Sequence, residues 1–171
     1  MSHEERELVE CDSTHIIRPW KFKPIIIKSG RGVFVEDVNG KRYIDTISAF
    51  FVLNVGYNHP EVVDAIKEQA EEVSQTTTYQ SSIPLIKLAK KLVEITPKRL
   101  NKVYYVVGGA EACETAVKMA KQFTGRGEIV TLKASYHGAS TTGSATLTGI
   151  TAHKVGFTPS IPGVYHAAPP Y

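Results

Sequence analysis

A short glycine-containing segment is the strongest candidate in this sequence for binding an anion. Residues 106–112 read Val-Val-Gly-Gly-Ala-Glu-Ala, after a β-branched and aromatic run and before a helical pattern. The first turn of a helix has unpaired N–H groups and the positive end of the helix dipole, and Gly109 and Ala110 are small enough to let a phosphate-bearing cofactor approach. An ordinary tight turn between a strand and a helix explains the same glycines equally well. Glu111 is more typical of a first-turn acid that offsets the dipole than of a ligand.

A second candidate, Ser-Tyr-His-Gly at residues 135–138, follows the next predicted strand. A right-handed crossover would place the strand over residues 128–132 beside that over residues 102–107, so that their carboxyl ends meet. Tyr136 would then be placed to stack on a planar ring whose phosphate is held by the glycine segment, with His137 nearby as a hydrogen-bonding group. Taken alone, a packed surface tyrosine and a neutral, hydrogen-bonded histidine are the more common roles.

Other motifs that carry chemistry do not match this sequence. The glycine segment fits neither Gly-x-Gly-x-x-Gly nor Gly-x-x-x-x-Gly-Lys-Ser/Thr, and residues 138–142 lack the second glycine of a hydrolase Gly-x-Ser-x-Gly turn. Cys113 falls on the apolar stripe of its helix and is interpreted as a small buried residue. The serines and threonines of residues 140–151 have no neighbouring base, which favours a solvated or partly ordered loop. The histidines show no metal-ligand spacing, so no metal site is predicted.

Composition and charge favour a packed protein that binds small molecules or other subunits. The 171 residues are 42% hydrophobic and 22% charged, and the net charge of +3 is spread along the chain, so we expect neither a nucleic-acid nor a membrane partner. Cys11 and Cys113 are far apart and form no Cys-x-x-Cys pair, which is typical of free thiols in a reducing compartment. The charged N-terminus is unlike a signal peptide, so we expect a cytoplasmic protein.

Turn residues and periodicity predict the elements of the first half of the chain. Residues 1–23 lack periodicity and are expected to form an irregular arm in which Trp20 docks on another surface. Residues 25–28 and 32–38 each read as a short strand. The pair Asn39-Gly40 lies between the second of these and a further β pattern, which predicts an antiparallel hairpin. Pro60 and Pro84 each open an amphipathic helix.

The second half of the chain is expected to form an α/β arrangement. The helix opened by Pro84 should bury a face that includes Leu85 and Leu88. Residues 102–132 read as a strand, a helix from Ala110 to Thr124 that ends at Gly125, and a second strand, which together make a βαβ unit. Residues 133–171 are rich in Gly, Ser, Thr, His and Pro and carry only scraps of strand signal, so they are expected to be loop-like.

Four motifs, in this order and separation, resemble the class III aminotransferases, which are pyridoxal-phosphate enzymes of fold type I. They are the hairpin segment 37–45, the segment 54–62, which begins Asn-Val-Gly-Tyr-Asn-His-Pro, the helix 109–120 and the segment 135–138. The resemblance implies an α/β fold in which a β-hairpin arm precedes the start of a mostly parallel, helix-covered sheet domain.

The resemblance also implies the domain division. It assigns residues 1–57 to the small domain and residues 58–171 to the start of the large domain that binds pyridoxal phosphate. Both domains would be incomplete, so we expect the chain to be an N-terminal fragment.

The implied function is that of an aminotransferase. The complete protein would transfer an amino group between an amine or amino acid, of the 4-aminobutyrate, ornithine/acetylornithine or alanine type, and a 2-oxo acid, and would act as a homodimer. By the same resemblance, Gly109 and Ala110 would bind the phosphate of pyridoxal 5'-phosphate through backbone N–H groups, and Tyr136 would stack on its pyridine ring. His137 would hydrogen-bond nearby, and Phe50 would line the substrate pocket.

Several positions depart from the family pattern. Ala49 replaces a frequent Gly, Tyr57 a frequent His and Cys113 the usual Asn. In the family, the lysine that attaches the cofactor and the acidic partner of the pyridine nitrogen lie beyond position 171. Lys133 falls on no family motif and is expected to be solvated. We therefore expect no catalytic residue in this chain and no transamination by the chain alone.

Two alternatives remain open from the sequence. One is a non-catalytic relic or regulatory domain that binds a phosphorylated small molecule or a partner subunit. The other is an unrelated α/β nucleotide-binding enzyme.

Overall fold

The computed structural model describes residues 2–17, 23–156 and 160–170, so Trp20 and its predicted docking lie outside the described residues. The chain divides into two compact units, Met1–Ser82 and Ile83–Tyr171. Among the described residues, no helix is both long and apolar enough to cross a bilayer.

The first unit begins with helix α1 (His3–His15), so the prediction of an irregular arm is wrong for these residues. The helix forms because its ends are satisfied: the Ser2 hydroxyl accepts a hydrogen bond from the Glu5 amide at 3.1 Å, and acidic residues occupy the first turn. Only Asp12 is buried along its length, which is why no apolar period marks it. The Ser-x-x-Glu pattern at its start was the available signal.

The predicted hairpin is confirmed as part of a three-stranded antiparallel sheet. Strands β1 (Ile27–Arg31), β2 (Phe34–Asp37) and β3 (Arg42–Ile44) pair in that order, so β1 begins two residues later than the pattern indicated. Gly40 takes a positive φ of 81° in the turn between β2 and β3. The Asp37 carboxylate accepts the Asn39 and Lys41 amides there, at 2.9 and 3.0 Å.

Three helical elements follow the sheet. A left-handed turn, α2 (Ser48–Phe51), follows β3. The two proline-opened helices are confirmed as α3 (Pro60–Glu72) in the first unit and α4 (Ile83–Ile95) in the second. The expected burial of the α4 face is wrong in this structure, because Leu85 and Leu88 are 39% and 49% exposed. Periodicity identifies an apolar face but not the element that covers it.

The second unit continues with helix α5 (Gly109–Thr124) and a parallel pair of strands, β4 (Ile129–Leu132) and β5 (Val164–Ala167). The predicted strand over residues 102–107 is wrong, and with it the predicted βαβ unit, because the structure assigns no strand there. A strand is defined by a hydrogen-bonded neighbour, and β propensity alone does not supply one.

Residues 133–171 were predicted to be loop-like, and this is wrong for part of the described range, residues 133–156 and 160–170. They contribute β5 and the short helix α6 (Thr142–Leu147), whose N-terminus forms a capping box between Thr141 and Ser144. The expectation of a solvated loop at residues 140–151 is also wrong, because residues 144–148 are the most buried part of the described chain. Their small hydroxyl side chains pack closely since they satisfy their own hydrogen bonds, as when Thr146 donates to the Thr142 carbonyl at 2.7 Å.

Candidate functional site

The first turn of α5 presents an open set of backbone donors. Gly108 caps the helix with extended backbone (φ −140°, ψ 160°), and the Ala112 amide donates to its carbonyl at 3.0 Å. Helix geometry leaves the amides that precede Ala112 outside the intrahelical ladder. A Cβ placed on Gly108 or Gly109 would meet no atom within 4 Å, so nothing crowds the Cβ side of these two residues. This turn can therefore accept an anion.

Glu111 supports the backbone at the start of the helix and is not positioned as a ligand, as the sequence indicated. Its carboxylate accepts a hydrogen bond from the Val107 amide at 3.0 Å. The side chain thus supports the backbone that leads into the helix and offsets part of the dipole.

The structure brings the Tyr136–His137 segment onto this turn. Gly138 has φ +110°, and a Cβ placed on it would lie 2.6 Å from the Ala110 Cβ and 2.9 Å from the Ser144 Cβ. Only a residue without a side chain allows this approach. The two candidate segments are therefore neighbours, although the strand that was expected to bring them together is not formed.

Thr148 holds the loop from beneath and was missed in the sequence. It is fully buried, it accepts the His137 amide at 2.9 Å and it donates to the Gly138 carbonyl at 2.6 Å. One hydroxyl therefore fixes the two peptide groups on either side of the His137–Gly138 pair. No local pattern marks such a residue, because its partners lie ten and eleven positions earlier in the chain.

Glu114 links α5 to α6 and was also missed. Its carboxylate accepts the Ser144 amide at 2.8 Å and a hydrogen bond from the Thr141 hydroxyl. A Cβ on Gly143 would overlap this carboxylate, so a larger residue there would require the Glu114 side chain to shift. The signal that was available is a Thr-x-x-Ser capping pattern at residues 141–144, with an acid on the preceding helix.

The side chains of Tyr136 and His137 have different surroundings. The Tyr136 ring is 59% exposed, and its partner is the His153 ring, with centroids 5.3 Å apart at 62°. The His137 ring is half-buried, with Nδ1 4.0 Å from the Cys113 Sγ. Cys113 is half-buried as well, and its neighbour is polar, so the interpretation of a fully buried hydrophobe is too simple. Tyr136 is left with ring surface that a planar ligand can cover.

Phe50 belongs to the first unit and sits in the left-handed turn α2. Its ring is 81% exposed, with φ 62° and ψ 48°. The Asp45 carboxylate accepts the Ile47 amide at 2.9 Å, the Ala49 amide at 2.8 Å and the Tyr57 hydroxyl at 2.8 Å. The hydrogen bond from Tyr57, with those from the two amides, holds the pKa of Asp45 below its ordinary value.

Lys133 is exposed, in agreement with the expectation that it is solvated. Within residues 2–17, 23–156 and 160–170, no group of three or more His, Cys, Asp or Glu side chains is arranged to hold a metal ion.

Comparison with known proteins defines the family. Residues 17–171 match the family model for class III aminotransferases. The chain therefore belongs to this family, and the resemblance in the motifs is confirmed. This membership also excludes the alternative of an unrelated nucleotide-binding enzyme.

Individual relatives carry several names within the family. The chain is 36% identical over 185 residues to the adenosylmethionine-8-amino-7-oxononanoate aminotransferase of Methanocaldococcus jannaschii, covering 100% of this chain and 40% of that protein. It is 38% identical over 144 residues to a probable 4-aminobutyrate aminotransferase of Bacillus subtilis, covering 83% and 33%. An alanine/serine racemase of Pyrococcus horikoshii is 34% identical over 146 residues, covering 85% and 31%. The chain spans less than half the length of these relatives.

Solved structures agree with this assignment. The crystal structure of the M. jannaschii enzyme matches with a TM-score of 0.89 and 36% identity, over 98% of this chain and 41% of that one. A taurine:2-oxoglutarate aminotransferase from Bifidobacterium kashiwanohense, in complex with PLP and glutamate, matches with a TM-score of 0.88 and 34% identity, over 97% and 38%. The predicted fold class, an incomplete α/β fold of this transferase type, is confirmed.

Proposed function

We propose that this chain is the N-terminal part of a pyridoxal-phosphate-dependent aminotransferase that transfers an amino group between an amine or amino acid and a 2-oxo acid. The observation that carries the proposal is the packing of Gly138 on Ala110, which sets the Tyr136 loop against the anion-accepting turn of a class III chain. Because an alanine/serine racemase is among the relatives, assays of the complete protein test the reaction as well as the type of donor.

The residues of the second unit fit the cofactor. The amides of Gly109 and Ala110 would donate to its phosphate, because they lie in the first turn of α5, outside its hydrogen-bond ladder, and the helix dipole favours an anion. Tyr136 would offer its exposed ring to the pyridine ring, and the half-buried His137 would hydrogen-bond nearby. When bound, pyridoxal phosphate supplies the electron sink that amino-group transfer needs. The role of this chain is to bind and orient that group, and we assign no catalytic residue to it.

The proposal extends to the assembly and its setting. Residues 1–57 would belong to the small domain, with Phe50 lining the substrate pocket, and residues 58–171 would begin the large domain. The complete protein would form a homodimer. The two free cysteines support a reducing compartment, and we place the protein in the cytoplasm.

Assays of the complete protein test the function directly. It is expected to hold pyridoxal phosphate and to move an amino group from 4-aminobutyrate, ornithine, acetylornithine or alanine to a 2-oxo acid, measured as the new amino acid formed. Retention of the cofactor without exchange for any donor would favour the non-catalytic alternative. Failure to bind the cofactor would overturn the proposal.

Tyr136→Ala tests the cofactor site by itself. The dissociation constant for pyridoxal phosphate is expected to rise about tenfold, because ring stacking is lost, with little change in thermal stability since the ring is 59% exposed. Tyr104→Ala is the matched control, since that ring is 67% exposed in the same unit and has no assigned role. Equal cofactor affinity in the two variants would refute the role given to Tyr136.

A further inference from the structure

The left-handed turn α2 is the most unusual backbone in the described chain. Ser48, Ala49, Phe50 and Phe51 are consecutive non-glycine residues, and all have positive φ, from 47° to 67°. L-residues rarely adopt this conformation, and almost never several in succession. Burial does not hold the turn in place, because the two phenylalanine rings are 81% and 78% exposed.

One carboxylate holds the turn instead. Asp45 accepts the Ile47 amide with one oxygen and the Ala49 amide with the other, and that second oxygen also accepts the Tyr57 hydroxyl. Two of its three partners are therefore backbone groups at the start of the turn. The third is a side chain that comes from outside the turn.

Tyr57 connects this carboxylate to the sheet. Its amide and carbonyl both pair with Gly32, at 2.8 and 2.9 Å, directly after β1. Its ring also packs so closely on Gly30 that a Cβ there would lie 2.9 Å from the ring. Hydrogen bonds therefore run from the sheet through Tyr57 and Asp45 to the Ala49 amide and tie the turn to the sheet.

We propose that Asp45 and Tyr57 are positioning residues that fix α2, so that Phe50 forms a rigid wall of the substrate pocket and discriminates amino donors by size. This rests on the proposed function, in which Phe50 lines that pocket. Strained backbone that its surroundings hold in place is concentrated at functional sites. Here the strained turn α2 carries the exposed Phe50 ring. A turn that served stability alone would not need to expose an aromatic side chain.

A second aspartate–tyrosine pair in the same sheet provides the matched control. The Tyr43 hydroxyl donates to the Asp37 carboxylate at 2.9 Å, and Asp37 also accepts two backbone amides. That pair holds the hairpin turn, where Gly40 takes the positive φ without strain. Tyr43→Phe thus removes the same kind of hydrogen bond without touching α2.

The experiment compares Tyr57→Phe and Asp45→Asn with Tyr43→Phe in the complete protein. The ratio of kcat/KM for a bulky aromatic amine to that for alanine is expected to change at least about fivefold in the first two variants, mainly through KM, because the wall is no longer fixed. Tyr43→Phe should keep the parent ratio within about twofold. An unchanged ratio in Tyr57→Phe, or an equal change in Tyr43→Phe, would overturn the inference.

Hydrogen exchange of the Ile47 and Ala49 amides tests the positioning without any turnover. Exchange is expected to be at least about tenfold faster in Tyr57→Phe than in Tyr43→Phe, because the carboxylate loses its outside support. Equal exchange rates would refute the link between Tyr57 and the turn, even in an active enzyme. A parent protein that transfers no amino group refutes the proposed function, and with it the role of Phe50 as a wall, whatever the exchange rates are.

Discussion

The loop that carries Tyr136 and the turn that carries Phe50 both contain residues with positive φ, but different forces hold them. The loop, residues 135–138, rests on the buried residues Ser144 and Thr148, and within it the positive φ falls on Gly138, whose missing side chain allows close packing. The turn is exposed, and Asp45 holds it through hydrogen bonds. A packed loop should respond most to changes in volume, and a hydrogen-bonded turn to changes in charge.

Gly138→Ala should have the largest effect of the changes considered. The added Cβ would lie 2.6 Å from the Ala110 Cβ at φ +110°, so overlap and backbone strain act together. We expect a loss of about 3 kcal/mol in the free energy of unfolding, together with weaker binding of pyridoxal phosphate. Thermal or urea unfolding and cofactor titration measure the two effects.

Gly127→Ala serves as the control for that change. A Cβ on Gly127 would meet no atom within 4 Å, and its φ is not in the left-handed range. Its unfolding free energy should stay within about 0.5 kcal/mol of the parent value. If both variants lose the same amount, packing does not hold the loop.

Thr148→Val should have the next largest effect. The shape is kept, but the His137 amide loses its acceptor and the Gly138 carbonyl loses its donor, at a fully buried position. Unsatisfied buried groups of this kind cost about 2 kcal/mol in the free energy of unfolding. Urea denaturation measures the loss, and the exposed Thr124→Val is the control. A loss no greater than that of the control would show that the hydroxyl does not hold the loop.

The contrast also explains what the sequence could predict. The hairpin turn at Asn39-Gly40 depends on residues next to each other, so its pattern was sufficient. The donors at Gly109 and Ala110 likewise follow from a glycine segment at the start of a helix. Both features depend on residues that are adjacent in the sequence, and such local features can be predicted from the sequence.

Features that depend on distant partners were not predicted. Thr148 and Glu114 act on residues that are far from them along the chain, and a threonine-rich composition suggested a loop where the structure has a buried helix. Residues 102–107 have the composition of a strand but lack a ladder in the described chain. Family membership was predictable because the family motifs retain local order, even where the elements around them were misjudged.

Ala49→Gly should stabilise the turn, the opposite of the effect of Gly138→Ala in the loop. Ala49 has φ 47° and ψ 50°, a conformation that glycine adopts without the penalty of a Cβ. We expect a gain of about 1 kcal/mol in the free energy of unfolding, reduced by the greater freedom of glycine in the unfolded chain. Ala152→Gly, at an exposed position without positive φ, should give no gain. A gain in both variants, or in neither, would contradict a strained Ala49.

Acid should loosen the turn before it affects the loop, and this is the smallest effect we expect. The pKa of Asp45 is lowered in the folded protein, chiefly by the Tyr57 hydroxyl and then by the Ala49 and Ile47 amides. A carboxyl group whose pKa is lowered by folding stabilises the folded state fully above its unfolded pKa of about 3.9. This stabilisation is lost as the pH falls through the folded pKa. The Tyr57 pKa is raised by the same hydrogen bond, so its contribution is complete below about pH 10 and is lost as pH rises through the folded value. Exchange of the Ala49 amide, corrected for intrinsic rates, should therefore accelerate below about pH 4, while the His137 amide, bonded to the buried Thr148 hydroxyl, stays protected. Asp45→Asn should remove the acid-dependent part of the Ala49 exchange, and acceleration that persists in that variant would assign it to another group.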